Sequence, residues 1–244
     1  MDKNTRFMET ITDIRKLPEL SKDSIHIWGI HVPDILGRLD ALQIVLSERE
    51  QAKAARFHRV EDRQSSISAR GALRILLSGY IGIPAADIQF AYSENGKPHV
   101  ADSEVAFNIS HSSEWVVLAF GRNRQIGVDV EKIKWTMDVE AIAARFFAPE
   151  EKALVEQSAD KHTTFFQIWA RKEAYVKACG SGLFQELSSF AVPIAEGTLP
   201  DEGQKEGWNF RCLEAGSKYA AAVVTDKALT NLPCYDFGGL KWDS

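Results

Sequence analysis

The 244-residue sequence predicts an α+β protein in two halves, each combining helices with a small antiparallel sheet. Helical periodicity dominates residues 47–81 and 163–179, whereas apolar alternation marks strands at 107–120 and 208–223. The short polar stretch 121–125 lies between the two sets. These observations place an N-terminal lobe at residues 25–122 and a C-terminal lobe at 123–244, after an irregular extension at 1–24.

The predicted N-terminal lobe begins with alternating residues at 25–29, typical of a strand. Ser47 and Glu50 form a capping-box pattern, and a helical apolar stripe then reaches Ile81. Alternation at 88–92 leads into a turn at Asn95-Gly96. Two more strands are predicted at 107–109 and 115–120, with residues 110–113 turning between them.

The predicted C-terminal lobe starts with a strand at 126–131. A helix near 138–147 stops before Pro149, and a second helix begins there. A long helix covers 163–179, where Gly180 suits a left-handed cap. Alternation at 190–192, 208–212 and 219–223 predicts three antiparallel strands.

Composition and charge argue against several classes of function. A net charge of −5 argues against a nucleic-acid binder, although residues 47–74 carry seven basic side chains against four acidic ones. Three widely spaced cysteines show neither zinc-site nor disulfide spacing, which favours a reduced, cytoplasmic interior. We expect no signal peptide and no membrane span, because no apolar run approaches about 20 residues.

Four charged residues could form a catalytic centre. Asp129 and Glu131 leave the same face of a predicted strand, while Glu173 and Lys177 lie one turn apart on the long helix. Two carboxylates about 5 Å apart would repel by roughly 3 kcal/mol at an effective dielectric of 20, which Mg²⁺ would relieve. The alternative is an ordinary solvated sheet face and helix surface, because periodicity cannot show that strand and helix meet.

Four ordered motifs resemble those of the 4'-phosphopantetheinyl transferase superfamily. They are Gly96-Lys97-Pro98, Phe107-Asn-Ile-Ser110-His111-Ser112, Ile126-Gly-Val-Asp129-Val-Glu131 and Trp169-Ala-Arg-Lys-Glu173-Ala-Tyr-Val-Lys177. The spacing and length are similar to the two-lobed, Sfp-like class. The resemblance therefore implies two similar lobes (a pseudo-dimer) in a monomer, and transfer of phosphopantetheine from coenzyme A to a serine of an acyl or peptidyl carrier protein.

The resemblance also implies roles for single residues. Asp129, Glu131 and Glu173 would hold Mg²⁺ against the coenzyme A pyrophosphate, Glu173 would accept the serine proton, and Lys177 would stabilise the departing 3',5'-ADP. We expect the remaining coenzyme A contacts at Lys53, Arg63, Ser66, Lys97, Ser110 and His111.

Each of these residues has a plainer interpretation. Lys97 could be a solvated loop lysine, Ser110 and His111 could stabilise a turn, and the arginines could be solvated helix faces. Two rival functions also stay open. One is a Mg²⁺-dependent hydrolase of nucleotide pyrophosphates, and the other is a non-catalytic module that binds carrier proteins.

Overall fold

The computed structural model of the chain describes residues 9–182 and 185–242. Within them lie six α-helices, several short 3-10 helices and eleven strands. The helices are α1 (Leu39–Ile44), α2 (Glu48–Ala55), α3 (Val60–Ile81), α4 (Val139–Phe146), α5 (Pro149–Gln157) and α6 (Lys161–Cys179). The strands are β1 (Glu9–Thr10), β2 (Ile25–His31), β3 (Phe90–Tyr92), β4 (Pro98–Val100), β5 (Val105–Ser112), β6 (Trp115–Arg122), β7 (Ile126–Lys132), β8 (Glu202–Lys205), β9 (Trp208–Leu213), β10 (Tyr219–Thr225) and β11 (Cys234–Asp236).

The first lobe packs the long helix α3 on a five-stranded sheet with the order β1-β11-β2-β6-β5. Strands β2, β6 and β5 are antiparallel, whereas β11 and β1 add to the edge in parallel. The apolar stripe of α3, including Leu73, Leu76 and Leu77, is buried against this sheet with Trp28 and Phe120.

The second lobe packs the long helix α6 on an antiparallel sheet with the order β7-β10-β9-β8. Its core centres on stacked aromatic rings from α6 and from the segment after α4, with Phe147 and Phe165 5.0 Å apart between centroids. Each lobe is thus one long helix on a sheet, which confirms the predicted α+β class.

A third core joins the lobes. Ile25 and Ile27 of β2 pack with Val128 and Val130 of β7, together with residues of β6 and β10. These side chains are almost fully buried, so the sheets meet through apolar faces. None of the described helices has the length and apolarity needed to cross a membrane.

The chain ends differ from the prediction. The described part of the N-terminal extension, residues 9–24, is not loose: β1 pairs with β11, and Leu20 is buried in the first core. Strand β11, which the sequence placed in the C-terminal lobe, pairs with β2 in the first sheet. Both segments cover an edge of that sheet that would otherwise leave backbone groups unpaired.

Two local predictions are also wrong. Residues 110–112 do not turn, because β5 continues through Ser112 and the turn follows at Ser113. No strand forms at 190–192 within the described residues, since that segment's backbone bonds to buried side chains of α5 and α6 instead: the carbonyl of Phe190 accepts from Lys172, and the amide of Val192 donates to Glu151.

Candidate active site

The carboxylate of Asp129 and the ammonium of Lys177 form the centre of the site. Alternation along β7 turns Asp129 towards α6, where Lys177 Nζ lies 2.6 Å from Asp129 Oδ1. Ser110 Oγ donates to the same oxygen at 2.8 Å. Lys177 also donates to Ser110 Oγ at 2.9 Å and to the carbonyl of Val128 at 3.3 Å. Strand and helix therefore meet, as the resemblance implied.

Three carboxylates share this region, and all are partly desolvated. Burial raises the pKa of Asp129, although Lys177 and Ser110 oppose the effect. Burial and then the charge of Asp129 raise the pKa of Glu131 and the pKa of Glu173. Asp129 Oδ2 is buried and has no hydrogen-bond partner among the described residues. Such a group of carboxylates favours a nearby cation.

The arrangement is not that of a ready metal site. Across residues 9–182 and 185–242, no group of three or more His, Cys, Asp or Glu side chains is placed to hold a metal ion. Lys177 contacts Asp129 Oδ1, and Ser112 Oγ donates to Glu131 Oε2 at 2.9 Å. The donor set and the unpartnered oxygen of Asp129 fit Mg²⁺ chemically, because Mg²⁺ prefers carboxylate oxygens.

A cavity of about 560 Å³ opens beside this centre. Glu173 and Lys177 line one wall, and Asn95 to Pro98 of the first lobe line another. The segment after α6 contributes Gln185, Glu186 and Leu187. The site therefore lies at the boundary between the two lobes.

A second cavity of about 680 Å³ is strongly basic. Its walls include Lys53 and Ser66, both predicted, and His111 near the end of β5. Burial, followed by the charge of Lys177, lowers the pKa of His111. Arg63, the other predicted residue of this helical region, is exposed and does not line this cavity.

The sequence missed the arginines that line this second cavity. Arg49, Arg56 and Arg70 all contribute to its walls, and Arg70 lines the first cavity as well. Arg70 Nε lies 3.4 Å from Glu50, while its buried Nη1 has no hydrogen-bond partner among the described residues. Arg70 follows the predicted contact Ser66 by four residues, and residues four apart lie on the same face of a helix. This spacing could have identified Arg70 as a residue of the cavity.

Two predicted coenzyme A contacts are engaged within the protein. Lys97 Nζ donates to the carbonyls of Ile126 and Ala178, at 2.9 and 3.0 Å, and burial lowers its pKa to about 8. Ser110 is buried and bonds to Asp129 and Lys177. Ser110 therefore has no proton left for a phosphate, whereas Lys97 uses two of its three N–H groups in these bonds.

The fold and site define a class of protein: a two-lobed α+β protein with a carboxylate–lysine centre beside a basic cavity. The 4'-phosphopantetheinyl transferase superfamily profile matches residues 125–224, and the profile of the 4'-phosphopantetheinyl transferase N-terminal domain matches residues 37–122.

Curated relatives agree with both profiles. The chain is 38% identical over 223 residues to the 4'-phosphopantetheinyl transferase HetI of Nostoc sp., covering 87% of this chain and 93% of the relative. It is 34% identical over 173 residues to Sfp of Bacillus subtilis, covering 69% and 76%. It is 28% identical over 253 residues to pptA of Paxillus involutus, covering 87% and 95%. The chain belongs to the 4'-phosphopantetheinyl transferase superfamily and is of the Sfp-like kind.

Proposed function

We propose that the chain transfers 4'-phosphopantetheine from coenzyme A to a serine hydroxyl of an apo acyl or peptidyl carrier protein. The products are the holo carrier and 3',5'-ADP. The observation that supports this most is the contact between Asp129 and Lys177 beside Glu173, at a wall of the inter-lobe cavity. Because the chain belongs to the 4'-phosphopantetheinyl transferase superfamily, we assign the transfer reaction to these residues.

We further propose that the enzyme depends on Mg²⁺. Asp129, Glu131 and Glu173 would hold the ion, since these three carboxylates share one desolvated region. When bound, the ion neutralises charge on the pyrophosphate of coenzyme A.

Glu173 is the proposed general base. It lines the cavity, and burial together with the charge of Asp129 raises its pKa, which makes its carboxylate a stronger proton acceptor. Lys177, one turn along α6, is the proposed partner for the departing 3',5'-ADP. Positioning and charge stabilisation are the main needs of this chemistry, so a covalent nucleophile on the enzyme is not required.

The basic cavity is the proposed site of the nucleotide. Lys53, Ser66 and His111 line it, and the unpartnered Nη1 of Arg70 supports the binding of an anion there. Arg63 would reach the nucleotide only from outside that wall. Lys97 could bind a phosphate with its third N–H group, and Ser110 could donate to one only after leaving Asp129. Those three contacts stay predictions.

The proposed partners are coenzyme A and an acyl or peptidyl carrier protein. We expect a monomer in the cytoplasm that binds neither nucleic acid nor a membrane. No observation favours the hydrolase or the non-catalytic module over the transferase.

The first test is intact-protein mass spectrometry of apo carrier proteins incubated with the chain, coenzyme A and Mg²⁺, with a chelator control. We expect each accepted carrier to gain one phosphopantetheinyl group, and only when Mg²⁺ is present. Release of 3',5'-ADP without carrier would instead indicate a hydrolase. Coenzyme A binding without either product would indicate a binding module.

The Glu173→Gln variant tests the base. Because it keeps the shape of the side chain and removes the proton acceptor, kcat should fall by about 10²- to 10⁴-fold. Coenzyme A affinity measured without metal should change little. Glu156→Gln, on the exposed surface of α5, is the matched control. Unchanged transfer by Glu173→Gln at saturating Mg²⁺ would exclude Glu173 as the base.

A further inference from the structure

The two sheets meet along their edge strands, β5 and β7. β5 ends the first sheet and β7 ends the second, and the ladders of the described residues pair β5 with β6 and β7 with β10. An edge strand leaves every second amide without a sheet partner, and buried amides need one. The free edge of β7 is buried between the lobes, so its amides must bond to something other than a strand.

Side chains of β5 supply those partners. Three alternate residues of β5 accept from three alternate amides of β7, always 20 positions further along the chain. The rungs are Val128 N to Asn108 Oδ1 at 2.9 Å, Val130 N to Ser110 Oγ at 3.4 Å and Lys132 N to Ser112 Oγ at 3.0 Å. We call Asn108, Ser110 and Ser112 the side-chain ladder.

Two rungs of the side-chain ladder also hold carboxylates. Ser110 Oγ donates to Asp129 Oδ1 at 2.8 Å, and Ser112 Oγ donates to Glu131 Oε2 at 2.9 Å. A hydroxyl has one proton to donate and two lone pairs to accept with. Each serine therefore accepts from β7 and gives its proton to a carboxylate of β7, which fixes both the strand and the side chain.

The serines of the side-chain ladder act away from the cavities. Ile109 and His111, between the rungs, line the basic cavity, whereas Ser110 and Ser112 line neither cavity described above. Their hydroxyls reach the site only through the two carboxylates and, for Ser110, through Lys177.

We propose that Ser112, together with Ser110, is a positioning residue that aims Glu131 and Asp129 at the metal. This inference rests on the proposed function, because that function assigns the metal to these carboxylates. Ser112 is the sharper test of the two, since Ser110 also contacts Lys177. Partners that orient metal ligands typically contribute 10- to 100-fold to metal affinity or activity.

The test measures Mn²⁺ binding by electron paramagnetic resonance of the full chain with coenzyme A present. Ser112→Ala should weaken Mn²⁺ binding by about 10-fold. Ser112→Thr, which keeps a hydroxyl, should bind Mn²⁺ like the parent. Ser103→Ala is the matched control: Ser103 Oγ accepts from the amide of Val105 at the other end of β5, at 3.1 Å, so the same change there should leave Mn²⁺ affinity unaltered.

Thermal unfolding and metal-free coenzyme A binding complete the test. Mn²⁺ affinity that is unchanged in Ser112→Ala, with a lower Tm, would overturn the proposal and leave the side-chain ladder purely structural. Weaker coenzyme A binding without metal would also overturn it, because Ser112 would then contact the nucleotide. A parent that modifies no carrier, while Ser112→Ala still weakens Mn²⁺ binding, would refute the proposed function and support the positioning role.

Discussion

At the scale of single residues, Lys97 has a structural role in addition to its predicted contact with coenzyme A. Its ammonium lies between the carbonyl of Ile126, at the start of β7, and that of Ala178, near the end of α6. These bonds tie a loop of the first lobe to two elements of the second. The partial burial that this placement requires also disfavours the charged form.

The lowered pKa of Lys97 predicts a pH-dependent stability. Between about pH 8 and 10.5 the unfolded chain holds a proton that folded Lys97 has lost, so the free energy of unfolding rises with pH in this window. The difference in the free energy of unfolding between the parent and Lys97→Met should rise there by about 3 kcal/mol and be flat below it. Groups that titrate in the same range without contacting Lys97, such as Cys234 with its pKa raised to about 11, cancel in this difference. Cys179, whose charge interacts with that of Lys97, does not cancel.

Urea unfolding at a series of pH values measures this difference. Lys97→Arg is a useful comparison, because it keeps a charge that does not titrate in the window. A difference that does not vary with pH would show that Lys97 is fully solvated. A raised KM for coenzyme A in Lys97→Met would support the contact predicted from the motif.

Residue predictions succeeded where local geometry decides them. Alternation along β7 was sufficient to put Asp129 and Glu131 on one face and the neighbouring valines in the core. The contacts of Ser110 and Ser112 were not predictable in this way. They depend on β5 meeting β7 edge to edge, and nothing in the spacing of either strand specifies that meeting.

At the scale of elements, α6 and β7 approach so closely that only glycine fits between them. A Cβ on Gly127 would lie 2.0 Å from the carbonyl oxygen of Ala174 and 2.4 Å from the amide nitrogen of Ala178. Both are backbone atoms and cannot rotate away. This close approach brings Lys177 to Asp129.

Gly127→Ala should therefore separate α6 from β7. We expect a loss of stability of about 3 kcal/mol, at the upper end for overpacking, and loss of transfer in the molecules that stay folded. Gly37→Ala is the control, because a Cβ there meets no atom within 4 Å. Urea unfolding compares the two variants. Equal stability of Gly127→Ala and the parent would mean that the helix does not approach the strand this closely.

Predictions of helices and strands were correct where local interactions form the element and wrong where interactions between distant residues decide it. The Ser47 capping box and the left-handed cap at Gly180 are local, and both were predicted correctly. The strand predicted at 190–192 was wrong because its backbone serves a buried ion pair, with Lys172 Nζ 2.8 Å from Glu151 Oε2. Burial lowers the pKa of that lysine and raises the pKa of that glutamate, a cost that alternation in the sequence does not reveal.

At the scale of the whole molecule, the two lobes are tied together by more than their shared core. After β10 the chain returns to the first lobe, where β11 lies between β1 and β2. Tyr235 and Phe237 of this returning segment are buried in the first core beside Trp28. The domain boundary near residue 122 stays a prediction. The first sheet also needs residues 234–236, which lie beyond that boundary.

This return strand predicts that the molecule unfolds as one unit. Tyr235 is 3% exposed, so Tyr235→Ala should cost about 3 to 5 kcal/mol, as is usual for a buried aromatic side chain. Because β11 follows β10 of the second sheet in the chain, the loss should lower the unfolding midpoints of both lobes together.

Hydrogen exchange resolved by mass spectrometry can follow peptides of β6 and β10 separately in the same urea titration. Val223→Ala, in the core between the lobes, should likewise lower both midpoints together. Midpoints that separate in Tyr235→Ala, with β10 unaffected, would show that the lobes unfold independently and that the return strand stabilises the first lobe alone.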